Sequence, residues 1–516
     1  MKHMRRRWLS QVFSWEGLTI AAAAAVLIIQ LFIPPLIGLA DNGDFERVMR
    51  TSGLDYDPNA LTHRDRFFGY MSRWFALVPF GHGAYVSTQL PIIWLARGMA
   101  VLFGSQALLD VRYVAGIYTA LLLAACFLLL RSAGQALSRA AAVLLGILLV
   151  LVFTDVGYAA YFNSLYGEPA SLMFLLLTLA LALRFAHREG RTPGGLLFVA
   201  AAGLLLVGAK VQNAPIGLVL ALLLLRLGRL QASRSSTAAG GLSTDVDRAL
   251  PVRRMKGIRH GCGSRLAAAC AGVLALMSAG IFLLDAKEIR VINLYQSVFT
   301  GILKDSPLPE RDLEQLGLDA RYTVLAGTDY FQSGTAIPQR DPDLTHALLS
   351  NISVFKVASF YATHPQHLLD KLNKSAQAGK VSRPGYLGNY ERGAGKEYGA
   401  ITPSFDWWSG AKQRWLPGSF AVQASFFGLW LAGWGLERLR AKGKAAAAQL
   451  DVLLVIPAVA VLQFVVPFLG SGEADLSKHL FLFTVCLDLM LITAAVWGVH
   501  RLVRRVRPAV PSGWLP

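Results

Sequence analysis

Cysteine is scarce in this 516-residue chain: there are four, at Cys126, Cys262, Cys270 and Cys486. All of them fall in apolar stretches or in one basic segment, so no disulfide framework is expected. Paired metal-ligand motifs are missing too. The ten histidines are scattered, with no His-x-x-x-His or His-Glu-x-x-His run, which argues against a structural zinc site. Acidic residues number 32 against 50 Lys and Arg, a formal net charge of +18. No aromatic-basic nucleic-acid motif accompanies that excess, and about half of the cations sit in short loops between apolar runs. The partner they imply is anionic membrane lipid, not nucleic acid.

Apolar residues dominate instead, at 54% of the chain against 16% charged, and stretches of roughly 17 to 22 apolar residues recur along its length. The fold class this predicts is an all-α polytopic membrane protein. Ten spans are expected, near 17–38, 111–130, 139–156, 169–185, 195–209, 213–227, 266–284, 418–437, 450–470 and 478–498. Lys2, Arg5, Arg6 and Arg7 place the N-terminus in the cytoplasm by the positive-inside rule, as an uncleaved first span and not a signal peptide. Arg131 and Arg139, the group Arg184, Arg188 and Arg191, the run Arg226 to Arg265, Arg438 to Lys444 and the tail Arg501 to Arg507 then share that side. Both termini are expected in the cytoplasm of a multi-pass protein.

The domain organisation read from this is an N-terminal transmembrane module 1–284, an extracytoplasmic domain 285–417 and a C-terminal transmembrane module 418–516. Within the first module lie an outer loop, 39–110, and a basic segment, 226–265, read as a flexible cytoplasmic linker. The apolar stretch 86–104 is broken by Pro91 and Arg97, and counting it as a span would invert every later loop. It is expected to lie on or dip into the outer surface, with Arg97 snorkelling to the headgroups. The later domain reads as mainly helical, with an amphipathic pattern from Leu344 to Leu372. Trp407, Trp408 and Trp415 before the eighth span read as an interfacial aromatic belt, with a sugar-stacking platform as the alternative.

Chemistry-bearing residues gather on the outer side. Asp41-Asn42-Gly43-Asp44-Phe45 follows the first span directly, and an Asp pair there is either interfacial polarity or the edge of a site. The turn after the third span is crowded with Tyr161, Phe162, Asn163, Tyr166 and Glu168. Glu168 precedes Pro169, so capping of the following helix is the plain alternative for it. Lys210 lies in the next outer turn, and Glu473-Ala474-Asp475-Leu476-Ser477-Lys478-His479 opens the last span. Lys210, Lys478, His479 and Arg290 suit a phosphate-bearing, lipid-anchored substrate, with a carboxylate as base. Single Lys or His anchors at helix ends are common, and the joint pattern carries the argument.

These features together resemble the multi-span GT-C glycosyltransferases. Within that class, Asn42-Gly43-Asp44-Phe45 with Arg47, the turn from Tyr161 to Glu168 and the segment from Glu473 to His479 resemble the hexose transferases called WsfD, associated with S-layer glycan clusters. The resemblance implies a bacterial cell-membrane enzyme. It would take a hexose from a polyprenyl-phosphate-linked donor to a glycan or lipid-linked glycan acceptor, with Asp44 or Asp41 as the first-loop acid. The remaining substrate-binding positions are Arg47, Tyr161, Asn163, Tyr166, Glu168, Lys210, Arg290, Glu473, Lys478 and His479. A divalent cation, Mg or Mn, on Asp41 and Glu168 is a further expectation. Tight acid pairs are common in the class, whereas Asn42 and Gly43 separate the carboxylates here. A lipid-glycan flippase or a non-catalytic scaffold of polysaccharide assembly are the rival readings. Many transporters show repeated halves, and no convincing repeat is visible here.

Overall fold

The computed structural model describes residues 14–57, 59, 62–81, 85–187, 191–240, 253–283 and 287–506. The chain opens with α1 (Trp15–Phe32), capped by Ser14, whose hydroxyl accepts from the Gly17 amide at 3.2 Å. Pro34 and Pro35 follow and end the helix. A loop then carries α2 (Phe45–Ser52), β1 (Leu54–Tyr56), β2 (Trp74–Leu77), α3 (Leu90–Phe103) and β3 (Leu108–Asp110). The strands form an antiparallel sheet in the order β1-β2-β3, a small exception to an otherwise helical chain.

Next come α4 (Arg112–Gly134), α5 (Arg139–Phe153), α6 (Glu168–Ala186), α7 (Pro193–Val207), α8 (Ile216–Gly240) and α9 (Arg253–Leu283). Helix α6 is apolar on every side and buried nearly throughout, as a helix at the centre of a bundle must be. Its first residue is Glu168 and its last turn holds Arg184, so it joins the two faces of the bundle. The later domain contains α10 (Lys287–Gln296), α11 (Pro309–Gln315), α12 (Pro342–Asn351), α13 (Val354–Thr363), α14 (Pro365–Ala378) and α15 (Trp408–Trp415). A second apolar cluster lies around Phe299, Leu313, Tyr322, Leu348 and Phe360, and it takes in Phe468 from a later helix, Val455–Ser471. The amphipathic run from Leu344 to Leu372 is thus three helices. Asp341 and Ser353 cap the first two, and Pro365 opens the third. Finally α16 (Phe420–Arg440), α17 (Lys444–Leu453), α18 (Val455–Ser471) and α19 (Phe481–Val506) complete the bundle.

A helix overlaps each of the ten expected spans. Among the described residues six helices are long and apolar enough to cross a membrane, or seven when α5 and the bent continuation Val156–Phe162 are taken as one. The count of ten is therefore not reached on length and composition. Helix α7 has only 15 residues, and α5 reaches span length only with its 54° bend.

Three readings change with the structure. Arg97 does not reach for headgroups: its guanidinium donates to the carbonyls of Ser52 (3.3 Å), Gly53 and Val78 (2.9 Å) and lies over the Phe80 ring. Its Nη1 thus meets three carbonyls at the end of α2 and beside the sheet, in place of water. Helix α3 buries Ile93, Ala96 and Ala100 while exposing Leu95, Leu102 and Phe103, so it is apolar on its packed and its open side alike. The basic segment 226–265 is largely the continuation of α8 and α9, and 241–252 lies outside the described residues, as do Lys2 to Arg7 and Arg507. Arg226 pairs with Asp451 at 2.7 Å, and so does Arg438 at 2.8 Å, which fixes α8 and α16 to α17. The three tryptophans differ from one another: Trp408 packs into the core, Trp407 donates to the Leu151 carbonyl at 2.6 Å, and only Trp415 stands well exposed.

Candidate functional site

The loop after α1 is shaped by its own carboxylate. Asp41 Oδ1 accepts the amides of Gly43 (2.7 Å) and Phe45 (3.3 Å), a turn that starts α2. Gly43 sits at φ +102°, where a side chain would be strained. Phe45 is buried edge-on against Tyr166, with ring centroids 4.7 Å apart. Tyr166 donates its hydroxyl to the Ala40 carbonyl (2.8 Å) and accepts from the Asn42 amide (3.0 Å). The tyrosine from the turn before α6 therefore holds the backbone that presents Asp44. From the far side, residues 388–390 pair with the same loop: Gly38 N donates to Asn389 O and Ala40 N to Gly388 O, both at 2.9 Å.

Asp44 faces a cation supplied from 434 residues further along the chain. Lys478 Nζ is bonded to its Oδ2, and Arg47 approaches Oδ1 at 3.6 Å. The Lys478 side chain is 1% exposed, whereas that of Asp44 is 34% exposed and offers the reachable edge of the pair. Asp475, held in the left-handed region at φ 47°, closes the network. It accepts from Asn42 Nδ2 (2.6 Å) and Tyr386 OH (2.7 Å) and lies 3.5 Å from Lys478 Nζ. Lys478 also lies 5.0 Å from the Tyr166 ring centroid.

The two aspartates are opposite in character. Burial lifts the Asp41 carboxyl to about 6, in spite of bonds from Tyr56 OH and the Gly43 and Phe45 amides. Burial acts the same way on Asp44, but Lys478 and then Arg47 outweigh it and hold that carboxyl well below the usual range. Lys478, lowered by burial but raised more by Asp44 and Asp475, stays charged. His479 is pushed down to about 4 by burial and by Lys210 and Lys478, so near neutral pH it can donate or accept a hydrogen bond but holds no charge.

Of the residues expected at the site, Asp41, Asp44, Arg47, Tyr166, Lys478 and His479 come together. Glu168 and Lys210 pair with each other at 2.7 Å beside them. The Glu168 side chain serves that ion pair and not a helix cap, since Gly167 occupies the capping position. Tyr161 and Asn163 are core residues. Tyr161 is wedged between Tyr166 and Phe481, and Asn163 Nδ2 ties the Leu31 and Ile37 carbonyls at 3.0 and 2.9 Å. Phe162 is likewise fully buried, so this turn supports the site from behind and forms no open wall for a lipid tail.

Glu473 belongs to a separate clasp. It binds Lys304 (2.7 Å), Lys371 (2.5 Å) and Lys374 (2.7 Å), while Asp305 binds Lys371 and Lys374. Arg290 is exposed on α10. Neither of the residues put forward for a divalent cation fits that use as folded. Asp41 spends its oxygens on Tyr56 and two amides, Glu168 is paired to Lys210, and no group of three or more His, Cys, Asp or Glu among the described residues could hold a metal ion. Asn42, Tyr56, Tyr386 and Asp475 also join the network; Asn42 and Asp475 lay inside the quoted segments, but sequence reasoning gave none of the four a role. Asp475 alone carried a local signal, its three-residue spacing from Lys478 on one helical turn.

A family model described as the YfdI N-terminal transmembrane domain matches residues 2–509. Among solved structures the chain is similar to the Archaeoglobus fulgidus oligosaccharyltransferase in its apo form, with 12% identity and a TM-score of 0.38 over 97% of this chain and 52% of that one. It is similar also to the Archaeoglobus fulgidus oligosaccharyltransferase AglB in complex with an inhibitory peptide and a dolichol-phosphate, with 11% identity, a TM-score of 0.37 and the same coverages of 97% and 52%. The chain thus spans about half the length of these structures. No curated protein matches it.

Proposed function

Since the chain belongs to the YfdI N-terminal transmembrane domain family, we propose that this multi-pass membrane protein is a glycosyltransferase of the GT-C type. In this reading it moves a hexose from a polyprenyl-phosphate-linked donor to a glycan or lipid-linked glycan, at the extracytoplasmic face of a bacterial cell membrane. The observation that carries the reading is the pairing of a partly exposed Asp44 with a fully buried Lys478 at the end of the bundle. That arrangement offers an ionised carboxylate and a phosphate-seeking cation at one point, next to lipid.

The chemistry follows from the pair. An acceptor hydroxyl has to lose its proton as its oxygen bonds to the anomeric carbon, and Asp44 takes that proton. The bond from the anomeric carbon to the phosphate oxygen breaks, and its electron pair stays on the phosphate. Lys478 and Lys210 are placed to hold the growing negative charge, while His479 contributes a neutral hydrogen bond. In the free protein Lys478 is occupied by Asp44. A donor phosphate that takes Lys478 releases Asp44 and raises its basicity, so the base is armed only when the donor is in place. A single displacement inverts the anomeric centre. The polyprenyl chain lies along the apolar surface of the bundle, with α3 beside it.

The test is transfer of hexose in membranes carrying the protein, given a polyprenyl-phosphate-hexose donor and a lipid-glycan acceptor, with D44N at matched protein level. The native protein is expected to transfer sugar and D44N to lose at least about a hundredfold of the rate. Equal rates in both would move the base elsewhere, and no transfer with any of several donors would overturn the enzyme reading.

A further inference from the structure

On the face of the bundle away from Asp44, a cavity of about 320 Å³ opens between the ends of α4 and α6. That volume is at the lower end of the range for small-ligand sites and well above what one water needs. Its lining includes Arg131, Ser132, Gln135, Arg184, His187 and Phe127. Arg131 and Arg184 belong to the last turns of their helices. The helices are joined there by the Ser132 hydroxyl, which donates to the Ala180 carbonyl at 3.4 Å.

A positive edge of the membrane explains why arginines occur on this face. It does not explain why two of them converge on one cavity. Several cations of the same face meet carboxylates: Arg226 and Arg438 share Asp451, and Arg501 binds Glu437 at 2.5 Å. Among the described residues neither Arg131 nor Arg184 has such a partner, and no described Asp or Glu lines the cavity. The guanidinium of Arg131 lies instead 5.7 Å from the Phe127 ring centroid, which holds it at the wall. Two planar forks with donors to spare, a hydroxyl, an amide and an imidazole make a lining for a tetrahedral anion.

We propose that this cavity binds a phosphate group, carried on a lipid headgroup or free in solution, through Arg131 and Arg184. The site is separate from the Asp44 network, since Glu168 and Arg184 stand at opposite ends of α6, a rise of roughly 24 Å.

The experiment uses the purified full chain in non-ionic detergent and two probes, inorganic phosphate and dioctanoyl phosphatidylglycerol, with dissociation constants measured for each. R131Q/R184Q is compared with R504Q/R505Q, which removes the same charge from the last turn of α19. Binding that weakens at least about tenfold in R131Q/R184Q and is unchanged in R504Q/R505Q supports the site. A response to phosphatidylglycerol alone makes the ligand a headgroup, and a matching response to inorganic phosphate makes it the free anion. Should the double variant fail to fold, R131Q and R184Q singly are each expected to weaken binding at least about threefold. No binding of either probe, equal affinity in R131Q/R184Q, or an equal loss in R504Q/R505Q overturns the proposal.

Discussion

Asp41 and Asp44 are three residues apart and do different work because their neighbours differ. Asp41 shapes the turn and has its carboxyl lifted to about 6, against an ordinary value of 3.8. A raised value means that the fold favours the protonated form. The stability this contributes is therefore fully present below about pH 4 and lost as pH rises through about 6, a change of about 3 kcal/mol. Unfolding of D41N and of the native protein across pH 4 to 7 should show that difference between them. Asp44 is shifted downward, so it stays ionised across the range where ordinary carboxyls titrate. On the proposed reading, the acid limb of kcat/KM, which reports the free enzyme, should accordingly lie lower than that of kcat, where a bound donor would hold Lys478. Coincident limbs would mean that Lys478 never leaves Asp44. Both aspartates were legible in the sequence, because carboxylates directly after a span need a reason. Their division of labour was not, since it rests on the burial of Asp41 and on Lys478, 434 residues from Asp44.

At the scale of elements, the short turn Leu476–His479 is the piece that has to be in register, and it is anchored by the lysine clasp on Glu473. Lys371 is almost wholly buried there and its charge is met by Glu473 and Asp305. Replacing Glu473 by Gln strips one carboxylate from three lysines, and a loss of about 3 kcal/mol is expected. Lys478 would then sit less firmly, so the donor KM should rise more than kcat falls, as kinetics on E473Q would show. Helix positions were readable from apolar runs, caps and prolines. The β1-β2-β3 sheet was not, since its strands are three or four residues long and lie 18 to 31 residues apart in sequence. Arg97 was misread for a related reason: an arginine in an apolar helix is expected to reach for water, and only the folded loop shows that three carbonyls wait for it.

For the molecule as a whole, the late domain is fastened to the last span by a buried ion pair. Lys412 of α15 meets Asp488 of α19 at 2.7 Å, with both side chains at most 1% exposed, and Tyr158 donates to the same carboxylate at 2.5 Å. Removing one partner leaves a lone buried charge, so K412M should lose about 3 to 5 kcal/mol, whereas K412M/D488L should recover most of that. Thermal unfolding of the two variants decides it, and equal losses in both would show that packing at the joint matters more than charge. The bundle itself was foreseeable from composition, but a pairing between an outer helix and a span gives no periodic signal. The separation of Asp44 from Lys478 also has a meaning in time. At about 5 to 20 residues per second, roughly 20 to 90 seconds of synthesis divide the appearance of the carboxylate from that of its lysine. Tyr386 and residues 388–390, which brace the same loop, also arrive late. A ribosome that stalls between Asp44 and Lys478 releases a chain whose carboxylate has no lysine to meet, so on the proposed reading such unfinished copies would transfer no sugar.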